Sequence, residues 1–325
     1  MLDATRLRVL VAIARHGSVT AAAEALNYAQ PSISHHMARL ESETGAKLME
    51  RSGRGIRLTD AGWLLAERAE EILGRLDAAE AELAAHVGLK QETVRLATFG
   101  SALGTFVAAA GAALRADRAV ADISLIQAEP EDALRMLRVG AVDVALVFRY
   151  QAETGGRPPD PDLHYHPVLD EPVYLVTPAA GSAGRGTGRA PEQAQPGVSI
   201  LAEYAGHRWI AGCERCQDVL VQLCRSAGFS PDIAVTTDDY VAAQALVAAG
   251  LGTAILPGLA LLAPRHPGVA AIELPGTRRQ VLAATYGGPP ERAVVSALLA
   301  ALGRAAAHYS GEAVGSRGSQ TRSKT

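Results

Sequence analysis

The sequence is poor in cysteine and in long apolar runs, and each shortage excludes a class of protein. Only three cysteines occur among 325 residues, which argues against a secreted fold held together by disulfides. No run of roughly eighteen apolar residues occurs, so we expect no membrane span. Residues 1–17 are too polar and too charged for a secretion signal. These absences together predict a cytoplasmic protein.

The motifs of common enzyme classes are also missing. The sequence has no nucleophile elbow, no P-loop and no glycine-rich dinucleotide fingerprint, and its nine histidines are scattered. No group of cysteines and histidines has the spacing of a complete zinc site. We therefore expect no enzymatic activity, no cofactor and no bound metal.

Positive charge is outweighed overall but concentrated near the N-terminus. The formal net charge of the chain is −3. Residues 1–58 hold eight Lys and Arg against five Asp and Glu, or +3, whereas residues 59–90 hold three against seven, or −4. A local basic surface is typical of a small DNA-binding module, although a chance imbalance of surface charge would look the same.

The segment from Gln30 to Glu43 has the pattern of a helix that reads DNA. Pro31 suits a first helical turn, and Gly45 suits the end of a helix. An apolar stripe and a polar row are predicted on opposite faces: Ile33, Met37 and Leu40 on one, and Ser32, His35, His36 and Arg39 on the other, with Gln30 at the tip. Such a polar row matches the donors and acceptors that base edges present in a DNA major groove.

The flanking segments complete a winged helix-turn-helix. Ser18 is predicted to cap a short helix over residues 19–26, which a tight turn joins to the next helix. Downstream, two short strands flank residues 52–55, a pattern typical of a hairpin whose basic tip could rest on phosphate. Thr59, with Asp60 behind it, then caps the next helix.

These residues resemble the LysR-type transcriptional regulators. The resemblance rests on Gly17-Ser18, Thr20, Ala22-Ala23, Leu26, Gln30-Pro31, Ser34, Leu40-Glu41, Gly45, Leu48, Arg51, Arg54-Gly55, Leu58-Thr59 and Ala61-Gly62. Two positions depart from the family: Ala29 replaces a small hydroxyl residue that caps the recognition helix, and Met49 replaces an aromatic residue. The resemblance implies binding to a double-stranded DNA operator through the following residues: Ser18, Thr20, Gln30, Pro31, Ser32, Ser34, His35, His36, Arg39, Arg51 and Arg54.

A long helix is predicted from Thr59 to about Leu89. Its apolar positions alternate in steps of four and three, which makes a heptad seam: Leu65, Ala69, Ile72, Leu76, Ala79 and Leu83. A single helix cannot bury such a seam, so a partner helix is expected; the alternative is packing against the chain's own following domain. In the family that the sequence resembles, this linker helix dimerises, and the dimers commonly pair into tetramers.

From residue 91 onward, strands alternate with helices as in α/β proteins. One βαβαβ unit, whose first helix is predicted to begin at Ser101, ends near residue 155. Residues 154–162 form a linker by composition, and a second unit runs over residues 163–268, including a flexible excursion at 179–197. Separate short strands are predicted at 165–169, 173–176, 270–274 and 280–286. Since strand and helix resume after residue 270, the chain is expected to return to the first lobe. Two lobes joined in this way resemble the periplasmic-binding-protein arrangement, which LysR-type regulators use as their effector domain.

The expected fold class is therefore α/β with an all-α, winged N-terminal part. Its expected parts are a winged helix-turn-helix at 1–58, a linker helix at 59–90, and an effector domain at 91–310 in two lobes, 91–155 plus 270–310 and 163–268. A disordered tail is expected at 311–325.

A small-molecule effector is expected at the carboxyl ends of strands, near helix N-termini. The candidate residues are Gly100, Ser101, Phe148, Arg149, Thr237, Asp238 and, lining the cleft, Cys213. Each has a plainer explanation, since Ser101 and Asp238 could simply cap helices and Arg149 could pair across the hinge. If Arg149 contacts the effector, a carboxylate is favoured, because a guanidinium matches it.

Cys213-x-x-Cys216, with Cys224 nearby, leaves an alternative open. A CxxC pair serves redox chemistry or half of a zinc site, but the plainer expectation is that Cys216 and Cys224 pack as small apolar residues. The expected function is thus a sequence-specific regulator that responds to an effector. The alternatives are a redox sensor acting through Cys213 and Cys216, and a solute-binding protein on the same lobes.

Overall fold

The protein is represented by a computed structural model that describes residues 2–52, 55–87, 93–116, 122–151, 161–179, 196–262, 265–287 and 291–309. The predicted tail and most of the predicted hinge and excursion lie outside these residues. The described chain divides into two compact units: an N-terminal unit, which also contains Arg135–Ala141, and a C-terminal unit.

The N-terminal unit begins with three helices, α1 (Ala4–His16), α2 (Val19–Ala25) and α3 (Gln30–Thr44). Ser18 caps α2, since its hydroxyl accepts from the amide of Ala21 at 3.1 Å. Gly45 ends α3 with φ of 69°, a left-handed conformation that glycine adopts without strain. Both ends therefore form where the sequence predicts them.

A hairpin and a long helix follow. Strands β1 (Met49–Ser52) and β2 (Gly55–Leu58) pair antiparallel, and α4 runs over Asp60–His86. Thr59 caps α4 by accepting from the amide of Gly62 at 3.1 Å. A Cβ at position 62 would lie 2.2 Å from the carbonyl oxygen of Leu48, so glycine lets α4 pack closely against the chain entering the hairpin.

The C-terminal unit is built on one mixed sheet of eight strands. The strands are β3 (Thr93–Thr98), β4 (Asp122–Gln127), β5 (Val144–Tyr150), β6 (Leu163–Pro178), β7 (Arg208–Ala211), β8 (Asp232–Thr236), β9 (Thr253–Pro257) and β10 (Val269–Tyr286), in the spatial order β4-β3-β5-β10-β6-β9-β7-β8. The helices are α5 (Gly100–Ala102), α6 (Ala108–Ala116), α7 (Pro130–Arg138), α8 (Pro196–Ala202), α9 (Glu214–Ser226), α10 (Tyr240–Ala248), α11 (Gly258–Leu262) and α12 (Ala293–Ala307).

Two long antiparallel strands, β6 and β10, join the lobes. One end of β10 pairs with β5, and the end of β6 near residues 173–176 pairs with β9. Because α12 then packs on α6, the chain does return to the first lobe, and the predicted two-lobed α/β fold is confirmed.

Two sequence predictions about these elements were wrong in detail. The sequence predicted four separate strands where β6 and β10 are each continuous; Pro172 and residues 274–277 lie at a bulge between the strands instead of at strand ends. The helix predicted to begin at Ser101 is interrupted by a π-helical turn at Leu103–Val107, where Thr105 donates to the carbonyl of Ser101 at 2.6 Å.

Within the described part of the chain, no helix is both long enough and apolar enough to span a bilayer.

Candidate functional site

Helix α3 presents a polar row to solvent and buries its apolar stripe. Ile33, Met37 and Leu40 are fully buried in the core of the N-terminal unit. The candidate DNA-contacting residues of α3 that are exposed are Gln30, Pro31, Ser32, Ser34, His35 and Arg39. The structure therefore leaves these side chains exposed to solvent on the face opposite the buried stripe.

His36 lies at the edge of this row. It is half-buried and stacks on Tyr28, with ring centroids 5.9 Å apart. Ala29, where the sequence lacks the usual hydroxyl, makes no side-chain cap hydrogen bond, yet α3 still begins at Gln30. The proline in the first turn leaves one fewer amide to be satisfied there.

Glu41 fixes the end of α3 to the hairpin. Its carboxylate accepts from the amides of Leu48 at 2.9 Å and Met49 at 3.1 Å, and it pairs with Lys47 at 3.0 Å. Burial alone would raise the pKa of Glu41, but these hydrogen bonds and the Lys47 charge hold it below its ordinary value. Glu41 thus positions both α3 and the wing.

The other candidate DNA-contacting residues lie around this helix. Thr20 is exposed on α2, Ser18 is partly buried by its capping role, and Arg51 is exposed on β1. Arg57, on the neighbouring strand, pairs with Glu50 at 2.6 Å. Arg54 lies outside the described residues.

The predicted heptad seam of α4 divides into two parts. Ala69 is buried and Leu65 half-buried within the N-terminal unit. Farther along, the side chains are exposed: Ile72, Leu76, Ala79 and Leu83. The second half of the seam therefore forms an apolar stripe that the unit's own described core does not cover.

A small cavity of roughly 20 Å³ lies between the lobes of the C-terminal unit. It is lined by Glu129, Tyr150, Ile210, Ala211, Gly212, Cys213, Cys216, Leu220, Thr237, Asp238, Tyr240, Ala243, Ile255, Leu256 and Pro257. The structure thus brings the candidate residues Cys213, Thr237 and Asp238 together on one cavity.

Ser101 and Phe148 are connected to this region through Arg279. The Arg279 guanidinium donates to Ser101 Oγ at 2.8 Å and lies over the rings of Phe99 and Phe148, 4.9 and 4.7 Å from their centroids. Ser101 also hydrogen-bonds Tyr240. A Cβ at Gly100 would lie 3.9 Å from the Tyr240 ring, and the ring of Phe148 lies 5.8 Å from that of Tyr150. Gly100, Ser101 and Phe148 therefore each lie beside a residue that lines the cavity.

Arg279 is a buried charge with a buried counter-ion. Its side chain is 0% exposed and that of Glu171 is 3% exposed, and the two groups approach to 2.6 Å. Burial alone would lower the pKa of Arg279, but the Glu171 carboxylate raises it, so the arginine stays cationic. Glu171 also accepts from the amide of Leu259 at 2.6 Å. Among the described atoms, Arg279 Nη1 has no hydrogen-bond partner.

Arg149 does not lie on the cavity. It is exposed between two buried neighbours on β5, and its Nε donates to Gln280 at 2.7 Å. Side chains alternate across a strand, so Phe148 and Tyr150 point to the opposite side. This placement removes the reason for favouring a carboxylate effector.

The helix that follows β8 is capped by Asp239. Its carboxylate accepts from the amides of Val241 and Ala242 at 2.8 and 3.2 Å. The sequence suggested Asp238 for this capping role, but Asp238 lines the cavity instead.

Both cysteines of the CxxC pair line the cavity, with their sulfur atoms 3.0 Å apart. Cys216 packs against the hydrophobic core, as expected, and also lines the cavity, whereas Cys224 is fully buried. Among the described residues, no group of three or more His, Cys, Asp or Glu is arranged to hold a metal ion.

Sequence reasoning missed Glu129, Tyr240, Glu171 and Arg279. The one available signal was the pair Arg278-Arg279 directly before the apolar run 281–284. A charged residue beside such a run indicates either a buried counter-ion or a ligand-binding site, but the sequence does not show which of the two is present.

Three features define the class of this protein as a ligand-responsive DNA-binding regulator. They are a winged helix-turn-helix with an exposed polar recognition helix, a long helix, and a two-lobed α/β domain with a central cavity. Comparison with known proteins agrees with this class. Residues 4–63 match the bacterial regulatory helix-turn-helix protein, lysR family, and residues 88–307 match the LysR substrate binding domain. The chain therefore belongs to the LysR family of transcriptional regulators.

Individual relatives cover most of the chain. The HTH-type transcriptional regulator TcbR of Pseudomonas sp. (strain P51) is 28% identical over 284 residues, 86% of this chain and 90% of that protein. The probable HTH-type transcriptional regulator LrrA of Synechococcus elongatus is 29% identical over 283 residues, 87% of this chain and 90% of that protein. A crystal structure of CbnR, a LysR family transcriptional regulator, is similar in fold, with a TM-score of 0.63 at 22% identity over 94% of this chain and 99% of that one.

Proposed function

We propose that this LysR-type regulator reads its operator with the exposed face of α3, mainly through Gln30, Ser34 and His35. The observation that carries this proposal is the complete burial of Ile33, Met37 and Leu40, because it fixes the polar row outward. Amide, hydroxyl and imidazole groups suit the donor and acceptor pattern of base edges.

Arg51 and Arg54 have a different role in this proposal. A guanidinium on the wing can neutralise DNA phosphate, which adds affinity without reading sequence. Ser18, Thr20, Pro31, Ser32, His36 and Arg39 complete the proposed DNA-contacting face, some by direct contact and some by fixing the ends of α2 and α3.

The test begins with DNA fragments selected by the purified protein, which supply an operator sequence. Arg51→Ala should weaken binding to the operator and to unrelated DNA alike and reduce the slope of log affinity against log salt by about 1. Gln30→Ala should weaken operator binding selectively. The proposal fails if Gln30→Ala weakens both DNAs equally, or if a Gln30→Ala, Arg54→Ala double variant binds the operator as the unaltered protein does.

The effector is proposed to bind in the cavity of the C-terminal unit. Apolar residues such as Ile210, Leu220 and Ile255 face one part of the ligand, and Thr237, Tyr240 and the two carboxyl groups face its polar part. Among the described residues of the lining, Glu129 and Asp238 are acidic and none is a lysine or arginine. We therefore favour an effector that carries hydrogen-bond donors or positive charge.

A thermal-shift screen with cationic, neutral and anionic metabolites tests this placement. A ligand that raises the melting temperature should lose most of its effect in Asp238→Asn and keep it in Arg149→Ala, which changes a charged residue of the same domain outside the cavity. If the ligand instead loses its stabilising effect in Arg149→Ala and keeps it in Asp238→Asn, the effector binds on the other face of β5 and the proposed placement is wrong.

Further properties follow from membership of the family. We propose that the protein acts in the cytoplasm, by binding and not by catalysis, as a dimer through α4 whose dimers pair into a tetramer. We also propose the domain limits predicted from the sequence, with the linker helix between residues 59 and 90.

A further inference from the structure

The CxxC pair of the cavity forms a closely spaced dithiol. Cys213 is the N-cap of α9 and Cys216 is the third residue of its first turn, a spacing that brings an N-cap side chain over the residue three positions on. The Cys213 thiol donates to Cys216 Sγ at 3.0 Å, and both side chains line the cavity.

The surroundings distinguish the two sulfur atoms. Cys216 Sγ accepts from Cys213, lies 3.8 Å from Tyr150 Oη, and sits at the N-terminal end of a helix of 13 residues. These contacts favour a thiolate at Cys216. Cys213 keeps its proton, and its sulfur also lies within hydrogen-bonding reach of the Glu129 carboxyl group.

The pKa values agree with this assignment. The hydrogen bond from Cys213 lowers the pKa of Cys216 in spite of burial. The same hydrogen bond, together with burial, raises the pKa of Cys213.

We propose that Cys213 and Cys216 are a reversible redox site of the cavity, at which a small hydroperoxide oxidises the dithiol to a disulfide. The Cys216 thiolate attacks the peroxide, so that an S–O bond forms, the O–O bond breaks, and the leaving oxygen takes a proton to become an alcohol or water. Cys213 then gives its proton to Glu129 and attacks the sulfenic sulfur of Cys216. An S–S bond forms, the S–O bond breaks, and the released hydroxide is protonated to water.

The electrons balance in these two reaction steps, since two thiols lose one electron each and the peroxide gains two. The sulfur atoms must close from 3.0 Å to the length of a disulfide, about 2.05 Å. Rotation of the two side chains supplies a shift of this size. A dithiol reductant reverses the reaction by thiol–disulfide exchange.

Cys224 is the internal comparison. It is fully buried, and burial raises its pKa to about 12, so it stays an unreactive thiol. A Cys224→Ala variant therefore retains the proposed site and removes the one other cysteine.

The test uses the full chain, reduced and then treated with a few equivalents of hydrogen peroxide without denaturant. Trypsin cleaves after Arg208, Arg215 and Arg225, so a bond between the two cysteines joins the peptides 209–215 and 216–225. Mass spectrometry of Cys224→Ala should show this linked pair after oxidation and its disappearance after reduction.

Single variants test the order of the two steps. In Cys213→Ser, residue 216 should stop at the sulfenic acid, which dimedone labels. In Cys216→Ser, the peroxide should consume Cys213 at least about tenfold more slowly, because its proton is held. Circular dichroism of each variant checks that the fold is kept.

The proposal is overturned if Cys224→Ala keeps both thiols titratable after peroxide, or if dimedone labels Cys213 in preference to Cys216. This result is independent of DNA binding and of the identity of the effector, because it is measured on the sulfur atoms alone.

Discussion

At the scale of single residues, Arg279 determines how the cavity region is held together. Its guanidinium joins Glu171, Ser101 and the faces of two phenylalanine rings, which connects β10, β6 and α5. A buried charge is tolerated only with such partners, since an unpaired charge costs several kcal/mol.

Removing one member of this ion pair should be much worse than removing both. We predict that Arg279→Met lowers the free energy of unfolding by about 3–5 kcal/mol, and that adding Glu171→Gln recovers more than half of the loss. Urea unfolding followed by the fluorescence of Trp209, which is fully buried in the same unit, measures both values.

Arg278→Met is the matched control for this cycle. Arg278 pairs with Asp170 at 2.5 Å, but both side chains are more than a third exposed. The same substitution there should cost less than about 1 kcal/mol. Equal losses at positions 278 and 279 would contradict the assignment of Arg279 as a buried structural charge.

Glu41 makes the stability of the N-terminal unit depend on pH. Because its pKa is lower in the folded chain than the ordinary value of 4.5, its contribution is fully present above that value and is lost as the pH falls through the lowered one. Glu41→Gln should destabilise the unit by about 1–2 kcal/mol near neutral pH and by progressively less in acid.

Scanning calorimetry of the full chain at a series of pH values measures this effect. Glu24→Gln, which makes the same change of charge at an exposed position of α2, should leave the transition unchanged throughout. A Glu41→Gln effect that stays constant into strong acid would contradict the pKa argument.

The environment of a residue could be predicted from the sequence only where the surrounding residues follow a regular apolar period. Ile33, Met37 and Leu40 follow helical spacing, so their burial could be predicted without coordinates. Arg279 and Glu171 are separated by more than a hundred residues in the sequence, and only the pairing of β10 with β6 brings them together. No local pattern contains that information.

At the scale of elements, α4 carries an apolar stripe that the described residues of its own unit leave uncovered. Ile72, Leu76 and Leu83 are 48%, 41% and 64% exposed and lie on one face. Stripes with this spacing are buried when two helices pack as a coiled coil.

We predict that Leu76→Asp or Leu83→Asp converts the oligomer to monomers at micromolar concentrations, because a carboxylate would be buried between two helices. Sedimentation velocity measures the mass. Glu67→Lys, an exposed change of charge on the opposite face of α4, is the control and should keep the oligomer. If both aspartate variants remain oligomeric, the subunit interface does not involve this stripe of α4.

The long strands show where local sequence patterns mislead. Pro172 and the Pro275-Gly276 pair have the composition of strand ends, and the sequence therefore predicted four short strands. In the structure these residues form a bulge between two continuous strands, with Gly276 at φ of 81°. Tertiary pairing, not the local breaker, determines the length of the strands.

At the scale of the whole molecule, the proposed DNA-binding face and the proposed effector cavity lie in two separate units of one chain. Coupling between them requires that the effector bind differently to two conformations of the oligomer, and the coupling is then reciprocal. An effector that strengthens operator binding by some factor must itself bind more tightly to the operator complex by the same factor.

The central claim is that the exposed face of α3 carries sequence discrimination. The most direct test is the ratio of dissociation constants for a selected operator and an unrelated duplex of equal length at one salt concentration, in the unaltered protein and in Ser34→Ala, His35→Ala. We predict that the variant loses about 10- to 100-fold of this ratio, while its affinity for the unrelated duplex changes less than about twofold. An unchanged ratio in a folded, oligomeric variant would contradict the account.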